Sequence, residues 1–478
     1  MKSLMLTWEF PPRIIGGIST HVYHLSKALV ERGTSVRVIT CDFPKAPDEE
    51  IVDGVFVSRV DSGQVPQTNF HLWVYHLNSQ LIERGNEILE EERFDVLHAH
   101  DWLVGRAAIE LKTHYDLPLV TTIHATEMGR GGALEEGYRK KIHATERLLT
   151  ENSERVICCS NYMVHHVQDV LGVPADRIHV VPNGVDPSRF EARTLGTAQT
   201  ESRSDNGKTI LFVGRLVREK GVSMLLEAVK ELRKGIPANL LVVGDGPMRD
   251  HLVRKALDLG LDGNVRFTGF VDSSTLVSLY RSSDVCVVPS LHEPFGMVAL
   301  EAMAAKTPTV VSNVGGLSEI VEDGVTGMKF PPGDRKMLAG ALRRVLEDPS
   351  LAEQLRTNGN RHVRDHYGWE PIAETTISIY GLAQSQQRVP VISISDEELL
   401  GDEDLLHYLH AVGATEENAA RSAKEIASAV GAPEIPVKLV LGRQVSSGYV
   451  STVLDDELSS VRYHLSPTGV IKVCSDFS

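Results

Sequence analysis

The segment from residue 284 to residue 306 constrains the fold of this chain most strongly. Asp284-Val-Cys-Val-Val-Pro289 is an apolar run of the kind that forms a buried parallel strand, and the pattern breaks at Pro294 and Gly296. An alanine-rich stretch that begins at Met297 follows and predicts a helix. A buried strand, a tight turn and a helix N-terminus in this order indicate an α/β chain with a parallel sheet.

The same segment has the features of an anion-binding site. Backbone N–H groups near Phe295, Gly296 and Met297 are expected to point out of the turn, and the helix dipole reinforces them. Glu293 lies in the turn, and Glu301 lies within the helix that follows. Two carboxylates beside an anion site suit a ligand that also presents hydroxyl groups, as a sugar nucleotide does. This hypothesis guides the interpretation of the rest of the chain.

Length and charge limit the classes of protein to which the chain can belong. At 478 residues it has room for about two or three domains. It contains no apolar run of roughly eighteen residues, so no transmembrane helix is expected, and its short apolar N-terminus does not resemble a signal peptide. A formal net charge of −15 argues against nonspecific binding to nucleic acid or to an anionic membrane.

The cysteines indicate the compartment. The five of them show neither the spacing of a metal site nor that of a disulfide framework. Three lie in apolar, strand-like runs, so they are interpreted as reduced core residues. A soluble, cytoplasmic protein is therefore expected.

Strand and helix patterns alternate through the first 190 residues. Ser3–Thr7 is an apolar strand pattern, a loop then leads to Gly16-Gly17, and a helical pattern runs from Ile18 to the stop signal at Gly33. The strand pattern Ser35–Thr40 completes a β-loop-α-β unit, which predicts a parallel, doubly wound sheet with ligands at the loops that follow the strands. Gly16 and Gly17 would let the backbone approach a ligand closely, although two glycines also suit an ordinary turn.

Polar side chains follow two later strands of this half. One strand pattern ends in His98-Ala-His100-Asp101, and another ends in Ile123-His124. Because the carboxyl ends of parallel strands meet at one edge of a sheet, His100, Asp101 and His124 are expected to lie together at the ligand face. Zinc is the competing interpretation. No third ligand accompanies the two histidines at a recognisable spacing, so no metal site is predicted.

A fresh alternation of strands and helices begins after a polar, aperiodic segment at residues 191–208, which indicates a domain boundary. The strand pattern Thr209–Gly214 is followed by a glycine-bounded loop that contains Arg215 and Lys220. Both side chains are positive at neutral pH and could neutralise a diphosphate without a metal. Two basic residues in a surface loop are, however, commonly only solvated. The pair Gly315-Gly316 follows a later strand pattern.

These motifs together resemble the retaining glycosyltransferases of family 4, which share the two-domain GT-B fold. The resemblance covers roughly residues 1–384. The matching residues of the second half are Gly214-Arg215, Glu219-Lys220-Gly221, Gly244-Asp-Gly-Pro247, Glu293-Pro-Phe-Gly-Met-Val-Ala-Leu-Glu301 and Gly315-Gly316, and Asn183-Gly-Val-Asp186 also fits.

The first half resembles a narrower branch of that family. Gly16-Gly17, His98-Ala-His-Asp101 and Thr121-Thr-Ile-His-Ala-Thr-Glu127 are similar to the bacterial and archaeal glycogen synthase-like enzymes. That branch makes α-1,4-glucan or α-maltose 1-phosphate. The resemblance therefore implies a hexosyltransferase of glycogen biosynthesis that works with retention of configuration and without a metal.

The resemblance also implies a set of site residues. A donor, ADP-glucose or UDP-glucose, would bind between the two domains without any separate cofactor, and Arg215 and Lys220 would hold its diphosphate. Glu301 would accept the ribose hydroxyls, while Glu293 and His124 would contact the transferred sugar. The predicted catalytic residues are Glu293, Arg215, Lys220 and His124, and the predicted donor-binding residues are Gly16, Gly17, Asp101, Gly214, Phe295, Gly296, Met297, Glu301 and Gly316.

The acceptor and some alternatives stay open at this point. The implied acceptor is an α-glucan or a sugar phosphate. A family-4 transferase with another acceptor, such as a lipid or a small thiol precursor, is one alternative, although no exposed basic amphipathic helix stands out in the first half. A catalytically inactive sugar-binding protein is another, and the joint presence of Arg215, Lys220, Glu293 and Glu301 speaks against it. A homo-oligomer is possible.

The predicted domains are an acceptor domain (1–190), a nucleotide-sugar domain (208–368), a helix that crosses back to the first domain (369–384) and a small α+β accessory domain (390–478). The tail beyond residue 384 departs from the family pattern. Its helical patterns are Leu405–Val412 and Glu416–Val430, and its strand-like patterns are Val437–Leu441, Tyr449–Leu454 and Val461–Leu465. Packing or oligomerisation explains this tail better than glucan binding does.

Overall fold

The computed structural model describes residues 1–63, 70–131, 138–191, 207–386, 388–390, 402–430, 434–455 and 460–476. Most of the predicted boundary segment at 191–208 therefore lies outside the described residues. The described chain forms two parallel sheets flanked by helices, and a small antiparallel sheet near the C-terminus. The predicted α/β fold class, with its α+β appendage, is confirmed.

The first sheet has the strand order β3-β4-β2-β1-β5-β6-β7-β8. Neighbouring strands run parallel, except that β3 pairs antiparallel with β4. Its strand order reverses direction between β1 and β5, the switch point at which doubly wound sheets bind ligands. The strands are β1 (Lys2–Leu6), β2 (Ser35–Cys41), β3 (Glu49–Val52), β4 (Val55–Val60), β5 (Val96–His100), β6 (Leu119–Ile123), β7 (Arg155–Cys158) and β8 (Ile178–Val180).

Helices cover both faces of this sheet. The buried residues Val22, Leu25 and Leu29 of the first helix recur at helical spacing and pack on one face, as the sequence predicts. The second, third and fifth helices contribute to the core on the opposite face. The helices are α1 (Gly17–Glu31), α2 (Phe70–Glu91), α3 (Gly105–Tyr115), α4 (Glu127–Gly131), α5 (Tyr138–Glu151), α6 (Asn161–Leu171) and α7 (Ser188–Glu191).

The second sheet is parallel throughout and has the order β11-β10-β9-β12-β13-β14. Counted within this sheet the order is 3-2-1-4-5-6, so its switch point lies between β9 and β12. The elements are β9 (Lys208–Val213), α8 (Val222–Leu232), β10 (Ala238–Val243), α9 (Arg249–Asp258), β11 (Val265–Gly269), α10 (Ser273–Ser282), β12 (Val285–Val288), α11 (Met297–Ala304), β13 (Thr309–Ser312), α12 (Leu317–Ile320), β14 (Met328–Phe330), α13 (Arg335–Glu347) and α14 (Pro349–His366).

Helix α15 (Trp369–Ser385) follows the second sheet in sequence but packs into the core of the first. The buried Tyr380 hydroxyl lies 2.7 Å from Nδ1 of His98 on β5. The ring of Trp369 lies against Gly184, where an added Cβ would approach it to 2.7 Å. The helix therefore ties the end of the second sheet to the first.

The C-terminal unit consists of a three-stranded sheet and helices. Its elements are α16 (Asp402–Ala411), β15 (Arg421–Ser422), α17 (Ala423–Val430), α18 (Glu434–Ser446), β16 (Val450–Asp455), β17 (Ser460–Leu465) and α19 (Pro467–Asp476), and the strand order is β15-β17-β16. Tyr75 of α2 lies in the apolar core of this unit. An ion pair of 2.9 Å between Lys141 and Asp404 also joins the unit to the first half.

One predicted strand of this unit is wrong. Residues Val437–Leu441 belong to helix α18, in which Val437, Val440, Leu441 and Gln444 are buried. The spacing of these four residues is helical. A short apolar run is ambiguous between strand and helix, and tertiary burial decided in favour of the helix.

A buried ion pair supports the core between α3 and β7. The Lys112 ammonium donates to Oε1 of Glu154 at 2.6 Å and to the backbone carbonyl of Asn152 at 2.5 Å. The other oxygen of Glu154 accepts the backbone N–H of Leu119 on β6 at 2.6 Å. Both charged side chains are almost entirely buried, so neither charge can be solvated if its partner is removed.

Replacing Lys112 by methionine should lower the free energy of unfolding by about 3–5 kcal/mol, because the Glu154 carboxylate is then buried without its cation. Urea denaturation followed by circular dichroism measures this change. The matched control is Lys234→Met, which removes an exposed ion pair with Glu231 and should leave the midpoint nearly unchanged. Equal midpoints for the two variants would contradict the assignment of Lys112 as a buried structural cation.

Candidate functional site

The turn between β12 and α11 holds Glu293, and helix α11 holds Glu301, the two carboxylates singled out in the sequence. The turn ends at Gly296, whose φ of 126° favours glycine, and an added Cβ would come within 2.5 Å of the Leu317 side chain. Helix α11 then begins at Met297, so its first N–H groups have no acceptor within the helix and lie at the positive end of its dipole. Phe295 is buried beneath this turn.

Glu293 is held by two donors. The ammonium of Lys220 lies 2.7 Å from Oε2 of Glu293, and the hydroxyl of Ser290 donates to the same oxygen at 2.9 Å. The side chain of Glu293 is only 12% exposed, while that of Lys220 is 26% exposed. The carboxylate is therefore fixed in position, and the ammonium keeps a face toward solvent.

The loop that contains Lys220 packs against the Glu293 turn and forms a backbone hydrogen bond with the segment before it. Lys220 ends a 3₁₀ turn, and Gly221 follows with a φ of 70°. Any Cβ at Gly221 would overlap the carbonyl oxygen of Pro289, so only glycine allows the two loops to approach this closely. The backbone N–H of Leu291 also donates to the Glu219 carbonyl at 2.7 Å.

Arg215 lies at the start of this loop, directly after β9, and is exposed. The preceding residue, Gly214, donates its N–H to the Val243 carbonyl at 3.0 Å. A Cβ on Gly244 would overlap the Gly214 carbonyl oxygen, so the loops after β9 and β10 also approach each other closely. Arg215 and Lys220 thus belong to one loop at the switch point of the second sheet.

Glu301 lies in α11 and accepts a hydrogen bond from the Tyr280 hydroxyl at 2.8 Å. Burial raises the pKa of Glu301, and the Tyr280 hydrogen bond opposes this shift. The carboxylate is therefore positioned from α10 as well as from its own helix. The partner Tyr280 is a fully buried residue that the sequence analysis did not single out.

The glycine pair after β13 lies against the Glu293 turn. The N–H of Gly316 donates to the Glu293 carbonyl at 3.0 Å. An added Cβ on Gly316 would come within 2.5 Å of the Cα of Phe295 and 2.6 Å of its carbonyl oxygen. The structure therefore brings Gly316 together with Glu293 and Phe295.

Across the cleft, Gly16 and Gly17 lie exposed at the start of α1. The Glu9 carboxylate accepts the N–H groups of Ile15 at 2.7 Å and of Gly16 at 2.9 Å, and burial raises its pKa. A Cβ added to Gly17 would lie 4.0 Å from Cγ of Met297. The loops at the two switch points thus face each other, and Glu9 orders the one in the first half.

His124 and Asp101 meet at the carboxyl edge of the first sheet. Oδ1 of Asp101 accepts the backbone N–H of His124 at 2.9 Å, and a φ of 63° at Asp101 marks an unusual backbone turn. Nε2 of His124 lies 3.3 Å from Nδ1 of His100. The rings of His124 and of His21, on α1, have centroids 4.8 Å apart.

Burial controls the charges in this part of the site. It lowers the pKa of His124 to about 3, and the Arg130 guanidinium adds to that shift. It also lowers the pKa of His21 and of His100 well below the ordinary value. Burial raises the pKa of Asp101 to about 6, while Arg130 opposes it. The histidines of this edge are therefore neutral at neutral pH.

Hydrogen bonds between side chains and backbone groups also join the two halves directly. The Ser160 hydroxyl donates to the Pro294 carbonyl at 2.7 Å. The Glu319 carboxylate accepts the backbone N–H groups of Asn161 at 2.9 Å and Tyr162 at 2.7 Å, at the start of α6. These bonds anchor the Glu293 turn to the first half beside the cleft.

The predicted site residues fall into two groups. On the second half, Glu293, Lys220 and Gly316 are joined by direct contacts, and Arg215 and Glu301 lie on adjoining elements. On the first half, Asp101 contacts His124, and Gly17 faces the helix that begins at Met297. The sequence analysis missed Glu9, His21, Tyr280 and Glu319. His21 alone carried a signal, because it is a polar residue on the predicted buried face of α1.

The family models match both halves of the chain. Residues 15–189 match the model described as Glycosyltransferase Family 4, and residues 197–362 match Glycosyl transferases group 1. Two doubly wound sheets that face each other across a cleft define a GT-B protein. The chain belongs to the family 4 glycosyltransferases.

Three curated relatives support this assignment. An uncharacterized glycosyltransferase of Methanocaldococcus jannaschii is 39% identical over 80% of this chain and 98% of its own length. The glycogen synthase of Mycobacterium tuberculosis is 36% identical over 82% of this chain and 98% of its own. The D-inositol 3-phosphate glycosyltransferase of Frankia alni is 33% identical over 79% of this chain and 97% of its own length.

Solved structures share the fold. The sucrose-phosphate synthase of Thermosynechococcus elongatus superposes with a TM-score of 0.70 at 26% identity, over 80% of this chain and 98% of that one. The Anabaena protein HepE, in complex with UDP-glucose, superposes with a TM-score of 0.63 at 20% identity, over 80% of this chain and 99% of HepE. Among the described residues, no helix combines the length and apolar character needed to cross a membrane.

Replacing Gly316 by alanine should destabilise the protein by about 1–3 kcal/mol, because the new Cβ meets the backbone of Phe295 and must displace the Glu293 turn. The control is Gly340→Ala in α13, where an added Cβ meets nothing within 4 Å. That change should stabilise the helix by about 0.5–1 kcal/mol. Chemical denaturation compares the two variants, and equal effects would contradict the close packing at Gly316.

Proposed function

We propose that the protein is a retaining hexosyltransferase that moves glucose from ADP-glucose or UDP-glucose to an α-glucan or sugar-phosphate acceptor. The observation that carries this proposal is the pairing of Lys220 with Glu293 beside the N-terminus of α11. A cation, a helix N-terminus and a fixed carboxylate together complement a ligand that carries both a diphosphate and hydroxyl groups. A nucleoside diphosphate sugar is such a ligand.

In this proposal each half of the chain has its own task. Residues 1–190 form the acceptor domain and residues 208–368 the nucleotide-sugar domain. Residues 369–384 return to the first domain, and residues 390–478 form an accessory module. The buried, unpaired thiols of Cys41, Cys158, Cys159 and Cys286 support a reducing, cytoplasmic location.

The donor diphosphate lies between Arg215, Lys220 and the N–H groups at residues 295–297, with Gly16, Gly17, Gly214 and Gly316 allowing close approach of the backbone. The two side-chain cations and the helix N-terminus stabilise the negative charge that grows on the leaving phosphate as the glycosidic bond breaks. Because these groups are permanently positive or dipolar, the reaction needs no metal ion. Donor binding draws the Lys220 ammonium toward phosphate while Ser290 continues to hold Glu293.

The carboxylates and His124 bind the hydroxyl-bearing parts of the donor. Glu301 accepts the ribose hydroxyls, since one carboxylate can accept bonds from two neighbouring hydroxyls. Glu293 binds hydroxyls of the hexose or supports positive charge at its anomeric carbon. His124, held in place through Asp101, contacts the hexose as a neutral imidazole.

The configuration is retained because the acceptor hydroxyl attacks the anomeric carbon from the face that the leaving phosphate departs from. An oxygen of that phosphate takes the proton of the hydroxyl. No residue is assigned as a covalent nucleophile. Glycoside hydrolases use two carboxylates on either side of the scissile bond, whereas Glu301 here is assigned to the ribose.

The relatives support the two acceptor classes. The curated names include a glycogen synthase and a D-inositol 3-phosphate glycosyltransferase, each at more than 30% identity. The first is named for a glucan product and the second for a phosphorylated polyol acceptor. The test is release of nucleotide from ADP-glucose and UDP-glucose, with glycogen, glucose 1-phosphate or inositol phosphate as acceptor and with or without EDTA. Acceptor-dependent release that survives EDTA is expected, and its absence with every pair would overturn the proposal.

Replacing Glu293 by alanine should lower kcat by about 100-fold or more, because it removes a fixed charge at the reacting sugar. Steady-state transfer with the preferred donor measures the loss. Glu227→Ala is the control, since it breaks ion pairs with Lys255 and Arg335 in the same domain outside the proposed donor site. A kcat within tenfold of the parent for the Glu293 variant would exclude Glu293 from the mechanism.

Replacing Glu301 by glutamine should raise the donor dissociation constant by about 10–100-fold, because a charged acceptor of the ribose hydroxyls is lost. Burial raises the pKa of Glu301, so donor affinity of the parent should fall as the pH drops through that raised pKa and protonates the carboxylate. The glutamine variant should keep only the part of this fall that comes from protonation of the terminal phosphate of the nucleotide, whose second pKa is about 6. Calorimetric titration with nucleoside diphosphate between about pH 5 and pH 8, where proteins tend to be most stable, tests both, and an unchanged dissociation constant contradicts the ribose assignment.

A further inference from the structure

Three histidines from separate elements converge at the carboxyl edge of the first sheet. His21 lies in α1, His100 ends β5, and His124 follows β6. One ring nitrogen from each lies within 4.8 Å of the corresponding nitrogens of the other two. From the sequence alone no metal site is predicted here, because no third ligand at a recognisable spacing accompanies the two histidines. His21, 79 positions before His100 in the chain, supplies the third.

The spacing of these nitrogens approaches that of a metal site. Zinc bonds imidazole nitrogen at about 2.0–2.1 Å, so two ligands of a tetrahedral ion lie about 3.3–3.4 Å apart. Nδ1 of His100 and Nε2 of His124 are already 3.3 Å apart. His21 would have to move by about 1.5 Å to complete a three-nitrogen set, because its nitrogen lies within 4.8 Å of the other two rather than at the spacing of a bound ion.

Among the ring nitrogens that would serve as ligands, Nδ1 of His100 and Nε2 of His124 lie within hydrogen-bond distance of each other. Among the described residues, neither nitrogen of the buried His21 has a hydrogen-bond partner of standard geometry, although the Asn183 side chain lies beside it. By contrast His98, which lies beside this group, is bonded through both nitrogens to Tyr380 and Thr122. In the part of the chain that the structure describes, both nitrogens of the buried His76 on α2 also lack such partners, so it is the convergence of three rings that distinguishes this group.

We propose that His21, His100 and His124 form a binding site for a divalent transition-metal ion of the zinc class. Imidazole nitrogen is a preferred ligand of zinc and cobalt, whereas magnesium and calcium require oxygen. Binding requires the tautomers in which the N–H of His100 is on Nε2 and that of His124 is on Nδ1. The hydrogen bond between Nδ1 of His100 and Nε2 of His124 is then lost, because both lone pairs face the ion. His124 is the least buried of the three and leaves the fourth position toward the cleft.

The consequence for activity rests on the proposed function. His124 is assigned there to the hexose, so an ion bound through its ring would occupy the place of the donor sugar. The ion is not a participant in transfer. Zinc or cobalt should therefore inhibit the enzyme in competition with the donor, and EDTA should preserve or increase activity.

The test is a titration of the full-length protein with Co²⁺, followed by visible absorption. A tetrahedral site gives intense ligand-field bands, and we expect them to saturate at one ion per chain. The variants His21→Phe and His21→Gln should each weaken binding by about 100-fold or more, since loss of an outer partner alone costs 10–100-fold. The control is His76→Phe, which replaces a buried histidine of α2 outside the cluster and should bind Co²⁺ like the parent.

Two outcomes overturn the metal site. One is the lack of intense visible bands in the parent, and the other is parent-like binding by both His21 variants in a folded state, as judged by their thermal unfolding without metal. A second titration in the presence of nucleotide sugar, corrected for the Co²⁺ that the free nucleotide binds, tests the link to the donor. Independent binding there would overturn the placement of His124 in the donor pocket while the metal site stands.

Discussion

The close approach of backbone loops at the carboxyl edge of the second sheet is the constraint on which the candidate site depends. Gly221 lies against the Pro289 carbonyl, and Gly315 and Gly316 lie against the backbone of Glu293 and Phe295. Any Cβ at these positions would push the loops apart. Because the glycines keep them together, Lys220 reaches Glu293 at 2.7 Å, and the N-terminus of α11 faces the cleft. Charge at this site is therefore positioned by backbone packing.

The two halves of the cleft differ in their electrostatics. The second half presents exposed Arg215 and the partly exposed Lys220 ammonium, which suits an anionic ligand. The first half presents histidines that burial keeps neutral, which suits hydroxyl groups or a metal ion. Since Gly17 of one half lies near Met297 of the other, a ligand in the cleft contacts both environments. A molecule with a diphosphate at one end and a neutral sugar at the other matches this division.

Sequence periodicity predicted best those strands and helices that bury one or both of their faces. Strands β9 and β12 and helix α1 lie within a residue or two of their predicted bounds, because burial on a fixed face imposes the period that the sequence displays. The α18 segment was misassigned because a short run of five mostly apolar residues fits either period. Strands β3 and β4 were not predicted, although Asp53 and Gly54, both with positive φ, form the kind of turn that joins a hairpin.

The sequence by itself predicted the two doubly wound sheets, the resemblance to the family, and the candidate residues Glu293, Lys220, Arg215 and Glu301, because all of these are carried by local strand-turn-helix motifs. Only the tertiary structure decided which distant side chains meet them. Tyr280 reaches Glu301, Glu9 orders the loop at Gly16, and His21 joins His100 and His124. No local sequence pattern predicts these contacts between distant side chains, because they depend on how whole helices pack against the edge of the sheet.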